Sequence, residues 1–262
     1  MGKMMPGHIK IEIQGSVGIV TLNRPERHNA LSLKMWQHLP EVMLELDEKP
    51  TIHTIFLTGA GNTFSAGADI SEFSTVRATV EQAVDYEIAV DACGDAIENL
   101  RKPTVAVING FCLGGACHIA MACDFRFADQ DSSFSIPAAR LSIVYGASAT
   151  RKLISLVGLS KAKRILYTAQ RFSARDGLSM GFFDEISTDP METAHKLAAQ
   201  IADLAPLSLV GAKLLLNGMA KGFQDTDLTL AENAIDNAVR SNDYLEGCTA
   251  FTEKRKPKFT GT

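Results

Sequence analysis

The sequence lacks the features that mark several classes of protein. Its 262 residues include five cysteines, an odd number, and no two of them form a Cys-x-x-Cys pair. A chain of this length needs no disulfide bonds to hold its core, so we expect a reducing, cytoplasmic location. The N-terminal segment has no apolar stretch of signal-peptide length. The net charge of -4 gives no reason to expect nucleic acid or a membrane as a partner.

The order of apolar patterns predicts an α/β fold. Residues 9–22 alternate around Gly15, which indicates a β-hairpin. Ser32 is placed to cap a helix whose apolar side chains form one stripe over residues 33–46. Further strands are predicted at residues 54–58, 104–108 and 125–128, with helices at residues 70–100 and 114–122 between them. Strands that alternate with helices favour mostly parallel pairing.

The second half of the sequence is mainly helical. From Ser160 onward, helices are predicted at residues 161–168, 174–180, 191–204, 208–219, 225–241 and 244–251. We place a boundary near Pro206, between a core domain of residues 1–205 and a C-terminal helical domain of residues 206–262.

Two short loops of small residues indicate a site for a carbonyl oxygen. Ala66-Gly67-Ala68-Asp69 lets a ligand approach the backbone closely, and its free N–H groups can point at an oxygen. Gly114-Gly115-Ala116-Cys117 follows a strand and opens a helix, whose first N–H groups have no partner within the helix. Two such donors that converge on one thioester carbonyl would form an oxyanion hole and stabilise an enolate.

Four segments in this order resemble the crotonase (enoyl-CoA hydratase/isomerase) superfamily. They are NRPERHNALS at 23–32, FSAGADI at 64–70, KPTVAVINGFCLGGACHIAMACDFRFA at 102–128 and AFTEKRKPKF at 250–259. The resemblance covers essentially the whole chain. It implies an α/β fold of the crotonase (ClpP-like) type, a spiral of ββα units with a C-terminal helical trimerisation region. It also implies a homotrimer or hexamer that binds an acyl-CoA thioester, with coenzyme A as part of the substrate and no metal or separate cofactor.

The resemblance also assigns roles to particular positions. The backbone N–H groups of Ala68 and Gly115 would form the oxyanion hole. The coenzyme A would contact Arg27, Ala30, Ala66, Ile70, Phe251 and Lys254, the last two often from a neighbouring subunit. A lysine meets a phosphate as a point charge, which suits Lys254 to that contact.

The chain departs from the superfamily at the two positions that carry catalytic glutamates in a hydratase. His118 stands at the first position and Ala138 at the second. Alanine does no proton chemistry, so the usual hydration by two glutamates is excluded. His118 is expected to point into the acyl pocket, where an imidazole is either an acid–base catalyst or a hydrogen-bonded bystander. Tyr145 is either a catalytic phenol, as in decarboxylating members, or an aromatic wall.

Two further residues keep two interpretations each. Arg140 either binds a second substrate carboxylate or, as we favour, pairs with Asp129 or Asp131. Cys117 is next to His118, but neighbours on a helix point about 100° apart, so a buried thiol is preferred to a nucleophile.

Three functions therefore stand at the level of sequence. The first is an acyl-CoA lyase or hydratase-like enzyme that stabilises a thioester enolate, with proton transfer by His118, Tyr145 or a bound water. The second is decarboxylation or C–C cleavage of a malonyl-type or β-keto acyl-CoA, which generates the enolate without a base. The third is a catalytically idle CoA-binding scaffold.

Overall fold

Two β-sheets organise the chain. The structure is a computed structural model that describes residues 7–222 and 225–262, with side chains from residue 228 onward in the second range. The strands of the described residues are β1 (Ile9–Gln14), β2 (Val17–Leu22), β3 (Thr54–Gly59), β4 (Thr104–Ile108), β5 (Phe111–Leu113), β6 (Phe125–Asp129), β7 (Ser133–Ser135), β8 (Phe172–Ser173) and β9 (Glu185–Ser187).

The larger sheet has the order β1-β2-β3-β4-β6-β9. The predicted hairpin is confirmed, because β1 and β2 are antiparallel with Ile9 opposite Leu22. Every other pair in this sheet is parallel. The smaller sheet has the order β5-β7-β8 and lies where the chain turns from β5 into the helix at Gly115. These two- and three-residue strands were not predicted, because their apolar runs are too short to show a period.

Helices pack against both sheets and make up most of the described C-terminal region. Those of the described residues are α1 (Leu33–Glu48), α2 (Phe73–Val76), α3 (Val80–Glu98), α4 (Gly115–Ala122), α5 (Ala147–Thr168), α6 (Ala174–Met180), α7 (Pro190–Ala202), α8 (Pro206–Lys221), α9 (Asp225–Val239) and α10 (Asn242–Glu253). The α/β fold with its helical C-terminal region is thereby confirmed. The predicted boundary at Pro206 coincides with the first residue of α8.

The first helix forms as the sequence predicts. The Ser32 hydroxyl accepts a hydrogen bond from the Met35 N–H at 3.4 Å, which caps the N-terminus of α1. Trp36, Leu39 and Met43 on its apolar stripe are fully buried. By contrast, α5 begins at Ala147, 14 residues before the predicted helix at 161–168. Gly158, at φ +76°, breaks α5 into two parts, so the sequence shows no single helical period of apolar residues across both parts.

No single helix among the described residues is both long and apolar enough to cross a membrane. Helices α7 and α8 are separated by a bend of 113° and are long and apolar enough only when their residues are counted together.

Candidate active site

The two loops predicted from the sequence lie against each other. Gly67 adopts φ +89°, and a Cβ built there would lie 2.3 Å from the Leu113 carbonyl oxygen and 3.0 Å from the Gly115 nitrogen. Only a glycine fits such a backbone contact at this φ. A Cβ built on Gly115 would in turn lie 3.7 Å from the Ala68 nitrogen. The fold therefore holds the Ala68 and Gly115 N–H groups side by side.

These two N–H groups differ from their neighbours along the chain. On either side of them the backbone donors are occupied: Asp69 N–H donates to Leu31 O at 2.9 Å, and Gly114 N–H donates to Ser135 O at 2.7 Å. Within the described part of the chain, the N–H groups of Ala68 and Gly115 donate no hydrogen bond. The Gly115 N–H also lies at the positive end of α4, which favours negative charge.

A pocket opens in front of these two donors. Its volume is about 120 Å³, which is small against the several hundred Å³ of a site that encloses a whole ligand. The predicted residues that line it are Ala66, Ala68, Ile70, Gly115, Ala138 and Tyr145. The other lining residues are Trp36, Phe73, Arg77, Tyr86, Glu87, Val90, Gly114, Ile136, Pro137, Leu141 and Ile143. The pocket is thus large enough for only one end of a ligand of that size.

Tyr145 lies beside the predicted oxyanion hole. Its hydroxyl donates to the Gly114 carbonyl oxygen at 3.4 Å. Burial, together with the nearby Cys117 and Cys112 thiols, raises the pKa of Tyr145 well above its ordinary value. The phenol therefore keeps its proton at neutral pH, and its single O–H points to the Gly114 carbonyl oxygen.

His118 does not line the pocket, which departs from the expectation drawn from the sequence. Its side chain is 1% exposed, and a Cβ on Gly94 of α3 would lie 2.2 Å from its Nε2. The α4 helix therefore directs the ring against α3, behind the pocket wall. Burial, with the Lys152 ammonium nearby, lowers the pKa of His118 to about 3. A catalytic role for His118 stays a prediction.

Both ring nitrogens of His118 lack a hydrogen-bond partner among the described residues. The closest carboxylate oxygen, Oδ1 of Asp91, lies 4.0 Å from Nδ1 and is also buried without a partner. Burial and the Asp95 carboxylate raise the pKa of Asp91.

The wall opposite the loops comes from α3 and the turn before it, and the sequence analysis missed it. Arg77 Nη2 lies 2.6 Å from Glu87 Oε1, and the Arg77 guanidinium lies 5.1 Å and 5.4 Å from the ring centroids of Phe73 and Tyr86. Tyr86 in turn accepts a hydrogen bond from Trp36 Nε1 at 2.9 Å. One signal was present in the sequence: Glu87 stands between Tyr86 and Val90 on the inner face of a helix, where a carboxylate is uncommon.

The remaining coenzyme A positions do not line this pocket. Arg27 is exposed on a short turn, and Ala30 is buried with its carbonyl oxygen bound by the Arg24 guanidinium at 2.8 Å. Phe251 is 87% exposed on α10, and Lys254 follows the end of that helix. An apolar side chain so exposed is available for contact with another surface.

Cys117 is buried in the core, whereas Arg140 lies on the surface. The buried Cys117 thiol donates to the Cys112 carbonyl oxygen at 3.1 Å and lies outside the pocket lining, as expected for a structural thiol. Arg140 is exposed and, within the described residues, forms no ion pair with Asp129 or Asp131, so the favoured pairing is wrong. Asp129 instead accepts a hydrogen bond from the Ser132 hydroxyl at 2.7 Å. The described residues contain no cluster of histidine, cysteine and carboxylate side chains able to hold a metal ion.

Comparisons with known proteins agree with this architecture. The family model described as enoyl-CoA hydratase/isomerase matches residues 12–262. The short-chain-enoyl-CoA hydratase of Clostridium acetobutylicum is 34% identical over 252 residues, which cover 95% of this chain and 96% of that protein. The solved enoyl-CoA hydratase of Bacillus anthracis superposes with a TM-score of 0.89 at 31% identity, over 97% of this chain and 100% of that one.

A second solved structure, of a protein from Hyphomonas neptunium assigned to the same family, superposes with a TM-score of 0.93. It is 35% identical and covers 99% of this chain and 100% of that one. Sequence and structure thus agree over nearly the full length. The chain belongs to the enoyl-CoA hydratase/isomerase family of the crotonase superfamily.

Proposed function

We propose that this protein is an acyl-CoA-processing lyase or hydratase-like enzyme that stabilises a thioester enolate. The observation that carries the proposal is the pair of unused N–H groups of Ala68 and Gly115 at the pocket wall. Preorganised donors stabilise charge as it develops on an oxygen, and each is worth about 100-fold to 1,000-fold in rate. The family membership supports a thioester as the ligand, because its relatives are named for enoyl-CoA substrates.

The reaction at the oxyanion hole follows from its geometry. A thioester carbonyl oxygen between the two N–H groups would accept a hydrogen bond from each. When the α-carbon loses a proton, the negative charge moves onto that oxygen and both hydrogen bonds strengthen. Tyr145 keeps its proton and would donate its single O–H to the ligand by turning it away from the Gly114 carbonyl oxygen.

Hydration of a simple enoyl-CoA is expected to be very weak. Ala138 lines the pocket where the resemblance places one glutamate, and it can neither hold nor activate a water. His118, at the other such position, lies behind the wall. Neither carboxylate needed for two-glutamate hydration is therefore present at these positions. The two N–H groups proposed to stabilise an enolate are retained.

The small pocket leaves the coenzyme A moiety to the surface around it. We propose that Ala66 and Ile70 border it beside the pocket and that Arg27 and Ala30 lie along the nucleotide. Phe251 and Lys254 would reach a neighbouring subunit's ligand in a homotrimer or hexamer. Apolar side chains exposed on α8, α9 and α10 support such an assembly: Leu216, Met219, Leu228, Leu230, Ile235, Val239, Leu245 and Phe251. A cytoplasmic location stays a prediction.

Decarboxylation of a malonyl-type or β-keto acyl-CoA is the second candidate, with an idle scaffold as the third. The Tyr145 phenol and the Arg77 guanidinium in the pocket favour decarboxylation, because both can hold a substrate carboxylate. Against it, Arg77 already pairs with Glu87 at 2.6 Å, so the positive charge is largely neutralised. The enolate-forming lyase is therefore the better supported function.

A panel of acyl-CoA thioesters tests these functions against one another. We expect the protein to exchange the α-protons of butyryl-CoA for deuterium in D2O, followed by NMR, and to hydrate crotonyl-CoA far more slowly than the Bacillus anthracis hydratase. Carbon dioxide release from malonyl-CoA that is lost in Tyr145→Phe would favour decarboxylation. Binding of every thioester without exchange or turnover would favour the scaffold and contradict the proposal.

A further inference from the structure

The pocket contains one side chain that can accept a proton at neutral pH. Of the described residues that line it, four are titratable: Arg77, Tyr86, Glu87 and Tyr145. An arginine stays protonated in proteins. Burial raises the pKa of Tyr86 to about 12 and raises that of Tyr145 well above its ordinary value, so both phenols also stay protonated. Glu87 is the remaining acceptor and the only carboxylate among these lining residues.

A chain of contacts holds Glu87 in place relative to the oxyanion hole. Arg77 pairs with Glu87 at 2.6 Å and is itself held over the rings of Phe73 and Tyr86. Trp36 donates to the Tyr86 hydroxyl at 2.9 Å. The Trp36 indole also lies directly under Gly115, since a Cβ there would be 2.9 Å from the ring. The same indole therefore supports both the carboxylate wall and one oxyanion donor.

The ion pair with Arg77 engages one oxygen of Glu87. It uses Oε1, and within the described residues no side chain or backbone group hydrogen-bonds to Oε2. The Glu87 side chain is 34% exposed and lines the pocket. One carboxylate oxygen is thus free to meet a ligand while the other is fixed.

The electrostatic surroundings give Glu87 the character of an acid–base group. Burial raises its pKa, and so does the negative charge of Asp91 one helical turn further along α3, whereas Arg77 lowers it. The other titratable groups at this wall, Tyr86 and Tyr145, are uncharged at neutral pH. A raised carboxylate pKa lies closer to the operating pH, which is where proton transfer is most effective.

We propose that Glu87 is the acid–base residue of the acyl pocket and takes the place of the two glutamates absent from positions 118 and 138. The inference rests on the proposed enolate function. In the step assigned to it, Glu87 Oε2 forms an O–H bond as the α-C–H bond of the acyl thioester breaks. The electron pair moves to the thioester oxygen between Ala68 and Gly115. Return of the proton, or of a deuteron from solvent, to the enolate restores the carboxylate.

A purely structural glutamate would behave differently from a proton acceptor. Glu87→Gln keeps the size and the hydrogen-bonding oxygen of the side chain but cannot accept a proton. Glu87→Asp keeps the carboxylate on a shorter arm. The matched control is Glu81→Gln, the same change at an exposed position in the first turn of α3 that lines no part of the pocket.

The first measurement is exchange of the α-protons of butyryl-CoA in D2O for these variants. We expect Glu87→Gln to lose about 100-fold to 10,000-fold in exchange rate, the size of a general acid–base contribution. Glu87→Asp should recover part of that loss, and Glu81→Gln should match the wild type. Wild-type exchange with an undiminished rate in Glu87→Gln overturns this inference and leaves the proposed function standing. If the wild type exchanges no protons, both this inference and the proposed function are contradicted.

The second measurement is the pH dependence of the same exchange. Glu87 must be ionised to accept the proton, so the rate rises with pH through its pKa. Asp91→Asn removes a like charge and lowers that pKa, which moves the rising limb to lower pH. Arg77→Gln removes the opposite charge and moves the limb to higher pH. A limb that stays in place in both variants would contradict the inference, because a structural role for Glu87 moves neither.

Discussion

The two walls of the acyl pocket are built on different principles. The loop wall acts through the backbone N–H groups of Ala68 and Gly115, and its geometry depends on a glycine contact at Gly67. The helix wall acts through the side chains of Arg77 and Glu87. Backbone donors survive most substitutions, because every residue except proline carries an N–H. Side-chain chemistry changes with a single residue.

This difference explains how one fold can keep its ligand and change its reaction. In the proposed function, the loops would bind and polarise the same thioester oxygen whatever side chains lie nearby. The acid–base group can then move from one wall to another without disturbing that contact. His118 and Ala138 mark where the resemblance places carboxylates, and Glu87 marks where this chain has one.

Gly67→Ala should disrupt the loop wall and lower the exchange rate strongly. The new Cβ would lie 2.3 Å from the Leu113 carbonyl oxygen at a φ of +89°, so the loop must move and the Ala68 N–H with it. We expect exchange of butyryl-CoA α-protons to fall by about 100-fold to 1,000-fold, the effect of losing one oxyanion donor. The measurement is the exchange rate, with affinity for the thioester followed by calorimetry.

Gly61→Ala is the matched control for that loop. Gly61 also has a positive φ, +71°, but a Cβ there meets nothing within 4 Å. Its cost is limited to the left-handed backbone, about 1–2 kcal/mol of folding free energy, with exchange retained. Equal loss of exchange in both variants would show that backbone strain, and not the contact between the loops, is responsible.

Tyr86→Phe should weaken the link between the two walls. It removes the acceptor of the Trp36 Nε1 hydrogen bond and leaves that buried donor unpaired. We expect the free energy of unfolding to fall by about 1–3 kcal/mol. In chemical denaturation, the double variant Trp36→Phe/Tyr86→Phe should cost less than the sum of the two single changes. The exposed Tyr167, changed to Phe, should have no effect, and strict additivity would contradict the link.

His118→Leu should have the smallest effect at neutral pH. The ring is buried with both nitrogens unpaired, so an apolar side chain of similar size removes a polar penalty and keeps most of the packing. We expect the free energy of unfolding at pH 7 to change by less than about 1.5 kcal/mol. A loss of exchange of about 100-fold would instead give His118 a part in proton transfer.

The stability of His118→Leu should also depend on pH differently from that of the wild type. The folded-state pKa of His118 is about 3, below its unfolded value near 6.5. Between these values the unfolded chain binds one more proton, so wild-type stability falls as pH falls, by about 1.4 kcal/mol per pH unit. Between pH 6 and 4, the stability of His118→Leu should therefore fall less steeply with falling pH than that of the wild type. Parallel stability curves for the two proteins would contradict the burial of a neutral ring.

The loop wall could be predicted from the sequence, and the helix wall could not. Small residues at 66–69 and 114–117 indicate close backbone approach, and the resemblance to the superfamily then points to Ala68 and Gly115. Arg77 and Glu87 are ordinary charged residues whose meaning depends on which way α3 faces. Only the packing of α1 against α3, through Trp36 and Tyr86, brings them to the pocket.

The same limit applied to His118. Helical spacing from Gly114 predicts its direction only for an ideal helix beside an open pocket. In the fold, Gly94 leaves room on α3 that the imidazole fills, and the ring turns away from the ligand site. Five strands of the larger sheet and most helices were predictable from their apolar patterns, whereas β5, β7, β8, β9 and the first part of α5 were not.

A crystal structure with acetoacetyl-CoA bound tests the division between the two walls most directly. We predict the thioester oxygen within about 2.7–3.1 Å of the Ala68 and Gly115 nitrogens. The α-carbon should face Glu87 Oε2 at about hydrogen-bonding reach, with His118 out of contact. A thioester oxygen bound away from both nitrogens, or an α-carbon turned from Glu87 towards another acid–base side chain, would contradict it.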